Sequence, residues 1–324
     1  MMSLSDFKEK QILVIQADFG DKVFLRINNE NVAFYKNGKL ENQIPSCKIF
    51  CIFIIGNIAV TSYLLKTAMK HGISIFFMKQ NFEVYASVNS FLGGNYFLRS
   101  RQYSQNKFSE MQMSRHIVKN KIKNQLYLIK EKGLKEPYTE NEFAELENKI
   151  SLAGDKELLG IEGNVSKIFF AEYFNGNGIK WHRRSPRSKY DIYNLLMDMG
   201  YTFLFNFIDA ILSLYGFDTY KGVYHKLFFQ RKSLSCDIME PFRCIIDKQI
   251  VKSYNLKQIN EDDFAAANGR YYLKIENHKK YAEIFMKVIL NNKEDIFIFV
   301  RDFYKYFVRE DRGELPEFNL NKKI

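Results

Sequence analysis

The sequence is poor in cysteine, tryptophan and histidine, and it has no long apolar run. Four cysteines (Cys47, Cys51, Cys236, Cys244) stand among 324 residues, and none belongs to a C-x-x-C pair. They form no metal-ligand pattern of the C-x-x-C type, and without an apolar leader in MMSLSDFKEK the thiols are expected to be reduced, in a cytoplasmic protein. No segment approaches the roughly 20 apolar residues of a membrane span. The two best candidates are Ile49–Val60, broken by Gly56-Asn57, and Tyr201–Phe217, which carries Asn206 and Asp209; both read as core elements, with no membrane partner implied. Internal repeats and low-complexity segments are also lacking.

What is abundant is positive charge and phenyl rings. Lys and Arg outnumber Asp and Glu by 48 to 37, a net +11, which points to a polyanionic partner such as nucleic acid. The chain is 46% hydrophobic, with 30 Phe and 20 Tyr against a single Trp, enough for a substantial aromatic core.

The order of patterns predicts an α+β fold. Over residues 1–92, short β-branched and aromatic runs (Ile12–Ala17, Val23–Ile27, Val32–Tyr35, Ile49–Ile55, Ile73–Met78, Phe82–Val88) are separated by turn residues such as Asn37-Gly38. One helix is expected over Ser62–His71, stopped by Gly72. A hinge is placed at residues 93–98, around Gly93-Gly94. Residues 99–324 read as a larger helical domain with helices over Arg99–Lys132, after a Thr139-Glu140-Asn141-Glu142 capping box, and over Glu157–Phe174, Tyr193–Tyr215, Lys279–Leu290 and Asp295–Arg309.

Chemistry is sought first among the five histidines. His71 sits at a helix end, His116 and His182 lie among Arg and Lys, and His278 in a polar turn. His225 differs, because it follows Gly222-Val223-Tyr224 and precedes carboxylates by a short interval; a structural histidine is the competing reading. Asp237 and Glu240, spaced i, i+3 and flanked by Leu234, Ile238, Met239 and Phe242, would share one helix face. Apolar surroundings oblige such a pair to find a cation, either Arg243 or a divalent metal; an N-capping acid plus an Arg pair is the alternative. Pro241 implies that a helix starts nearby. Glu162, between Gly160 and Gly163 on an otherwise apolar helix, demands a partner as well. One imidazole with two or three carboxylates suits Mg²⁺ or Mn²⁺. Basic residues frame these acids: Arg99, Arg101, the stripe Arg115/Lys119/Lys121/Lys123, then Arg183, Arg184, Arg187, Arg231, Lys232 and Arg243, all candidate DNA contacts. The stripe could equally be a solvated helix face.

Three segments in this order resemble the CRISPR-associated integrase of the adaptation machinery, the Cas-one family. They are Leu158-Leu-Gly-Ile-Glu-Gly163, then Asn194-Leu-Leu-Met-Asp-Met-Gly-Tyr-Thr202, then Gly222-Val-Tyr-His225 with Ser233-Leu-Ser-Cys-Asp-Ile-Met-Glu-Pro-Phe-Arg243. Ile54–Val60 and His71–Phe77 are similar to that family's sheet domain. Ser185-Pro186, Pro241 and Cys244 depart from its usual residues. The resemblance implies metal ligands at Glu162, His225 and Glu240, with Asp237 contributing to the same catalytic site. It also implies a homodimer through the N-terminal domains, assembly with a Cas-two protein, and insertion of short double-stranded DNA into a CRISPR array from a 3′-hydroxyl. A structure-specific nuclease on branched DNA, or a non-catalytic DNA-binding scaffold, are the competing functions.

Overall fold

A computed structural model describes residues 2–17, 20–89, 95–186, 188–309 and 313–322. The sequence hinge at Gly93-Gly94 and the candidate DNA contact Arg187 lie outside the described residues.

The N-terminal region opens with a short helix α1 (Leu4–Lys8) and then builds two four-stranded sheets. One holds β1 (Gln11–Gln16), β5 (Ile49–Ile55), β7 (Ser74–Met78) and β8 (Val84–Val88), with β1, β5 and β7 parallel and β8 antiparallel to β7. The other holds β4 (Lys39–Pro45), β3 (Asn31–Lys36), β2 (Val23–Asn28) and the two-residue β6 (Ala59–Val60). Its hairpins turn on residue pairs that tolerate positive φ, Asn29-Glu30 and Asn37-Gly38, whose backbone twist matches that of the strands they join. Helix α2 (Ser62–His71) ends at Gly72 in the left-handed conformation, as its sequence predicts.

Strand β5 joins this region to the rest. All seven of its residues are buried, as the unbroken apolar run predicts. Ile52 and Ile54 pack into the core between the sheets and α2, whereas Phe53 and Ile55 face the helices. Phe53 meets Phe203 edge-on, with ring centroids 5.4 Å apart.

The helical region comprises α3 (Tyr96–Tyr103), α4 (Lys107–Glu131), α5 (Glu140–Leu152), α6 (Asp155–Gly176), α7 (Ile192–Tyr215), α8 (Ser233–Met239), α9 (Arg243–Asn255), α10 (His278–Asn291) and α11 (Lys293–Val308). The single helix expected over Arg99–Lys132 is two: Asn106 caps α4 by accepting from Ser109 N–H at 2.8 Å, and α3 closes before it. The capping box at Thr139 and Glu142 is present. A hairpin, β9 (Phe264–Ala267) and β10 (Arg270–Leu273), turns on Asn268-Gly269 within the otherwise helical part. Among the described residues, α7 is the one helix long and apolar enough to cross a membrane, and 83% of its most apolar window is buried inside the fold.

Two features of this region position the site. Helix α4 is packed by α6 and α9 and by the short turn Glu240–Phe242 that separates α8 from α9. The C-terminal segment straps the same helix. Asn120 donates to Phe318 O at 2.7 Å and accepts from Phe318 N–H at 3.0 Å, while Asn124 donates to Phe318 O and accepts from Leu320 N–H. The Phe318 ring then lies on Phe242, with centroids 4.3 Å apart.

Candidate active site

Asp237 lies in α8 with no exposed surface, and its carboxylate is the hub of a loop rather than an open ligand. Its Oδ2 accepts the backbone N–H of Val223 at 2.7 Å and of Tyr224 at 3.0 Å. Its Oδ1 accepts the backbone N–H of His225 at 2.9 Å and lies 2.6 Å from His225 Nδ1. The loop can wrap this closely only because residue 222 is glycine. A Cβ there would come within 2.7 Å of both Asp237 Oδ2 and Ser233 Cβ. The Gly-x-x-His spacing is therefore the geometry of a nest around one acid. With Nδ1 committed to Asp237, Nε2 is the ring nitrogen left to act on something else.

Glu240 follows one helical turn later and takes a different direction. Pro241 ends α8 there, and a short 3-10 turn leads into α9, so the expected common face for Asp237 and Glu240 is divided between two tasks. Glu240, 4% exposed, receives Arg243 Nη2 at 3.0 Å on Oε1 and Lys121 Nζ at 2.7 Å from Oε2. The same Lys121 ammonium donates to Glu162 Oε1, which also accepts from Ser166 Oγ at 3.1 Å. Burial alone would push the Glu240 carboxyl up, but Arg243, Lys121 and His225 together pull it down to about 2. Lys121 is likewise burdened by burial and more than compensated by Glu240 and Glu162, so its ammonium form is reinforced. Tyr224, with its hydroxyl buried and unpartnered, is pushed upward first by burial and then by the Glu162 and Glu240 charges.

A buried layer behind Glu240 holds Arg243 in place. The Arg243 guanidinium lies 4.7 Å from the Tyr201 ring centroid, and Arg184 lies 5.6 Å from the same ring. Tyr201 OH donates to Asp247 Oδ1 at 2.5 Å. Burial pushes Asp247 up to about 7, with Tyr201, Arg243 and Arg184 only partly opposing it.

The sequence-predicted residues divide accordingly. Glu162 and Glu240 converge on Lys121, and His225 stands beside them on Asp237. Asp237 itself has both oxygens engaged by four donors. Gly160 and Gly163, which flank Glu162, border open space: a Cβ at either would meet nothing within 4 Å. Of the expected DNA contacts, Arg183 and Arg231 are exposed. Arg99 donates to Gly216 O at the end of α7, and Arg101 to the carbonyls of Phe307, Val308 and Arg309 at the end of α11. Arg184 pairs with Asp198 at 2.5 Å and Lys232 with Asp209 at 2.7 Å. The basic stripe on α4 is not a solvated face. Arg115 caps α5 through Leu152 O and Ala153 O, Lys119 and Lys123 pair with Glu147, and Lys121 is buried in the acid cluster. Sequence reading missed that role of Lys121; nothing in its local spacing distinguishes it from its neighbours.

Among the described residues, no three His, Cys, Asp or Glu side chains are gathered as ready ligands of one ion. The donor chemistry nonetheless fits a hard divalent cation. Glu162 and Glu240 meet at one position that already holds positive charge, and His225 is near enough to Glu240 to help lower its carboxyl pKa.

The family model described as CRISPR associated protein Cas1 matches residues 19–287 of this chain. A protein of Thermodesulfovibrio yellowstonii named CRISPR-associated endonuclease Cas1 1 is 28% identical over 276 residues, covering 81% of this chain and 86% of its own. A solved structure titled as a casposase bound to integration product has a TM-score of 0.80 at 17% identity, covering 95% and 94% of the two chains. One titled as a Cas6-RT-Cas1–Cas2 complex has a TM-score of 0.78 at 23% identity, covering 96% of this chain and 36% of that one.

Proposed function

The chain belongs to the CRISPR-associated Cas1 family, and from that premise we propose that it is a metal-dependent DNA integrase and endonuclease that inserts short DNA fragments into a CRISPR array. The observation that carries the reading is the convergence of Glu240, buried, and Glu162, partly buried, on one cationic position near an imidazole that Asp237 orients. Mg²⁺ or Mn²⁺ held by Glu162, Glu240 and His225 Nε2 would supply Lewis-acid stabilisation of negative charge on a phosphate oxygen.

The reaction proposed is transesterification. The 3′-hydroxyl of the incoming strand gives up its proton to solvent and bonds to a phosphorus of the repeat. The bond from that phosphorus to the repeat strand's 3′-oxygen breaks, and the departing oxygen takes a proton from solvent to become a 3′-hydroxyl. Asp237 fixes the His225 ring and the loop that bears it. Arg243, braced on Tyr201, fixes the orientation of Glu240. Exposed Arg183 and Arg231 hold the backbone of the DNA by charge. Neither a serine nor a tyrosine nucleophile is required. Water in place of the hydroxyl makes the same site a nuclease, which accords with the name endonuclease carried by the relative from Thermodesulfovibrio yellowstonii. The Cas1–Cas2 title of a protein of the same fold supports a Cas2 partner, and homodimerisation through the sheet region is proposed with it.

A strand-transfer assay tests the reading. A short duplex with free 3′-hydroxyls and a repeat-bearing plasmid are incubated with Mn²⁺ or with chelator. Joined products that require metal and vanish in Glu162→Gln and His225→Ala are expected. Products that survive either substitution overturn the assignment, and shortened strands without joined ones leave only the nuclease.

A further inference from the structure

Two cations balance the two carboxylates, Arg243 from one side of Glu240 and Lys121 between Glu240 and Glu162, and Lys121 occupies the place where an ion has to sit. Lys121 is 8% exposed, and its Nζ touches Glu162 Oε1 on α6 and lies 2.7 Å from Glu240 Oε2 at the α8–α9 junction. A divalent ion bound to both oxygens would lie about 2.0–2.6 Å from each. Its centre and the ammonium nitrogen would then claim the same space, and two cations so close repel strongly in a buried setting. The ammonium is held to Glu240 Oε2 by a close ion pair, with no other side chain donating to that oxygen. The residue that holds this place is a lysine: a compact charge on a flexible four-carbon stem can withdraw, where a planar guanidinium braced by stacking could not. Arg243 supplies the contrast, fixed over Tyr201 on the other side of the same carboxylate.

We propose that Lys121 is a built-in placeholder cation, mutually exclusive with the divalent metal at Glu162 and Glu240, and that a DNA phosphate releases it. In the protein without DNA, the ammonium bridges the two carboxylates, completing with Arg243 the balance of charge, and keeps metal affinity low. A phosphate brought to the site offers the ammonium another anion. The lysine turns to it, the carboxylates are freed, and the ion enters. Metal binding and DNA binding are thereby coupled through one side chain, and linkage makes the coupling reciprocal. This proposal rests on the metal reading above, and its test separates the two.

The experiment measures free Mn²⁺ by electron paramagnetic resonance during titration of the full chain, with and without a duplex whose 3′ ends are blocked. Wild type, Lys121→Met and Glu162→Gln are compared. Removing a buried unit charge from beside the ion is expected to tighten Mn²⁺ binding by at least about tenfold in Lys121→Met without DNA. DNA should tighten Mn²⁺ binding severalfold in wild type and leave it unchanged in Lys121→Met. Equal or weaker binding by Lys121→Met, or undiminished coupling to DNA, overturns the placeholder. If Glu162→Gln binds Mn²⁺ as wild type does, the metal site itself is misassigned, which is a separate failure. Because the substitution leaves two carboxylates facing each other, thermal unfolding is followed as well. A lowered Tm that Mn²⁺ restores, with a larger metal-induced rise than in wild type, supports the proposal. Failure of both Lys121→Met and Lys121→Gln to fold even with Mn²⁺ makes the lysine a structural pillar and overturns it.

Discussion

Replacing Asp237 by asparagine changes few atoms and should have a large local effect. The carboxylate receives four donors, two on each oxygen. Asparagine keeps one acceptor oxygen, so two donors lose their partner and meet an amide that is itself a donor. Each buried donor left unsatisfied costs about 1–3 kcal/mol, for a total of about 2–6 kcal/mol. Whichever way the amide turns, a price is exacted. With its oxygen toward His225, the Val223 and Tyr224 amides are orphaned; reversed, the His225 backbone N–H loses its acceptor and the ring keeps a partner only by switching tautomer, so that Nδ1 accepts and Nε2 carries the proton. The loop at 222–225 can partly relieve the strain by lifting, so the loss should concentrate there. Hydrogen exchange checks this directly: the Val223, Tyr224 and His225 amides should lose protection, while the amides of β5 keep theirs. Urea unfolding should show a decrease of about 2–6 kcal/mol, less whatever loop release recovers. In the strand-transfer assay, loss of the group that orients a ligating imidazole should weaken Mn²⁺ binding by about 10–100-fold. If Asp237→Asn keeps its loop protection and stability within about 0.5 kcal/mol of wild type, the nest is not what holds the loop, and the argument from Gly222 falls with it.

Asp247 should set a pH dependence of stability. Its folded value is raised from 3.8 to about 7, so the native state holds its proton longer than the unfolded chain does. Its contribution is therefore complete below pH 3.8 and declines as pH rises to about 7. Asp247→Asn, which still accepts from Tyr201, should remove that decline, an effect of about 4 kcal/mol between pH 4 and 8 seen by chemical unfolding at each pH. An unchanged pH profile would sink the assignment. Glu240 has the opposite sign. Held down at about 2 against an ordinary 4.5, it should stabilise the fold above pH 4.5 and give that up on acidification, so Glu240→Gln should flatten the acid limb of the same titration. The basic residues should separate by assay. Arg183→Ala and Arg231→Ala should each reduce the salt slope of DNA binding by about one while leaving Tm in place. Arg101→Ala should lower Tm by removing the donor to three carbonyls at the end of α11, with little change in that slope. A reversal of those two outcomes would reassign the binding surface.

Much of the fold is legible because its signals are local. The all-apolar run at Ile49–Ile55, the Gly72 stop and the Thr139 capping box each act over a few residues, and each lies where the sequence puts it. The break between α3 and α4 is also local, written in Asn106, but the basic amphipathic pattern running past it conceals the cap. Asn268-Gly269 is as strong a hairpin signal as Asn37-Gly38, and it is masked by the helices around it. The site is less legible because its partnerships cross the chain. Asp237 finds its donors 12 to 14 residues away, across a loop whose course no periodicity encodes. Lys121 finds Glu162 at a separation of 41 residues, through the packing of α4 on α6. Arg99 and Arg101 look like surface charge by composition, yet they spend their donors on helix ends 117 and more residues distant. Charge counts a guanidinium the same whether it faces phosphate or a carbonyl.

The strap of Asn120 and Asn124 on Phe318 and Leu320 bears on how the molecule comes into being. These bonds close a loop of nearly 200 residues onto the helix that carries Lys121, and Phe318 also covers Phe242 in the turn that carries Glu240. Contacts that span so much chain form late, and during synthesis they cannot form until their last residue has cleared the ribosome. The sheet can fold early on its own pairings. The acid cluster is then completed only after the strap has been made, and a nascent chain lacking the strap holds its carboxylates in a loosened frame. The two carboxylates on Lys121 therefore take up their final frame only after Phe318 and Leu320 have docked.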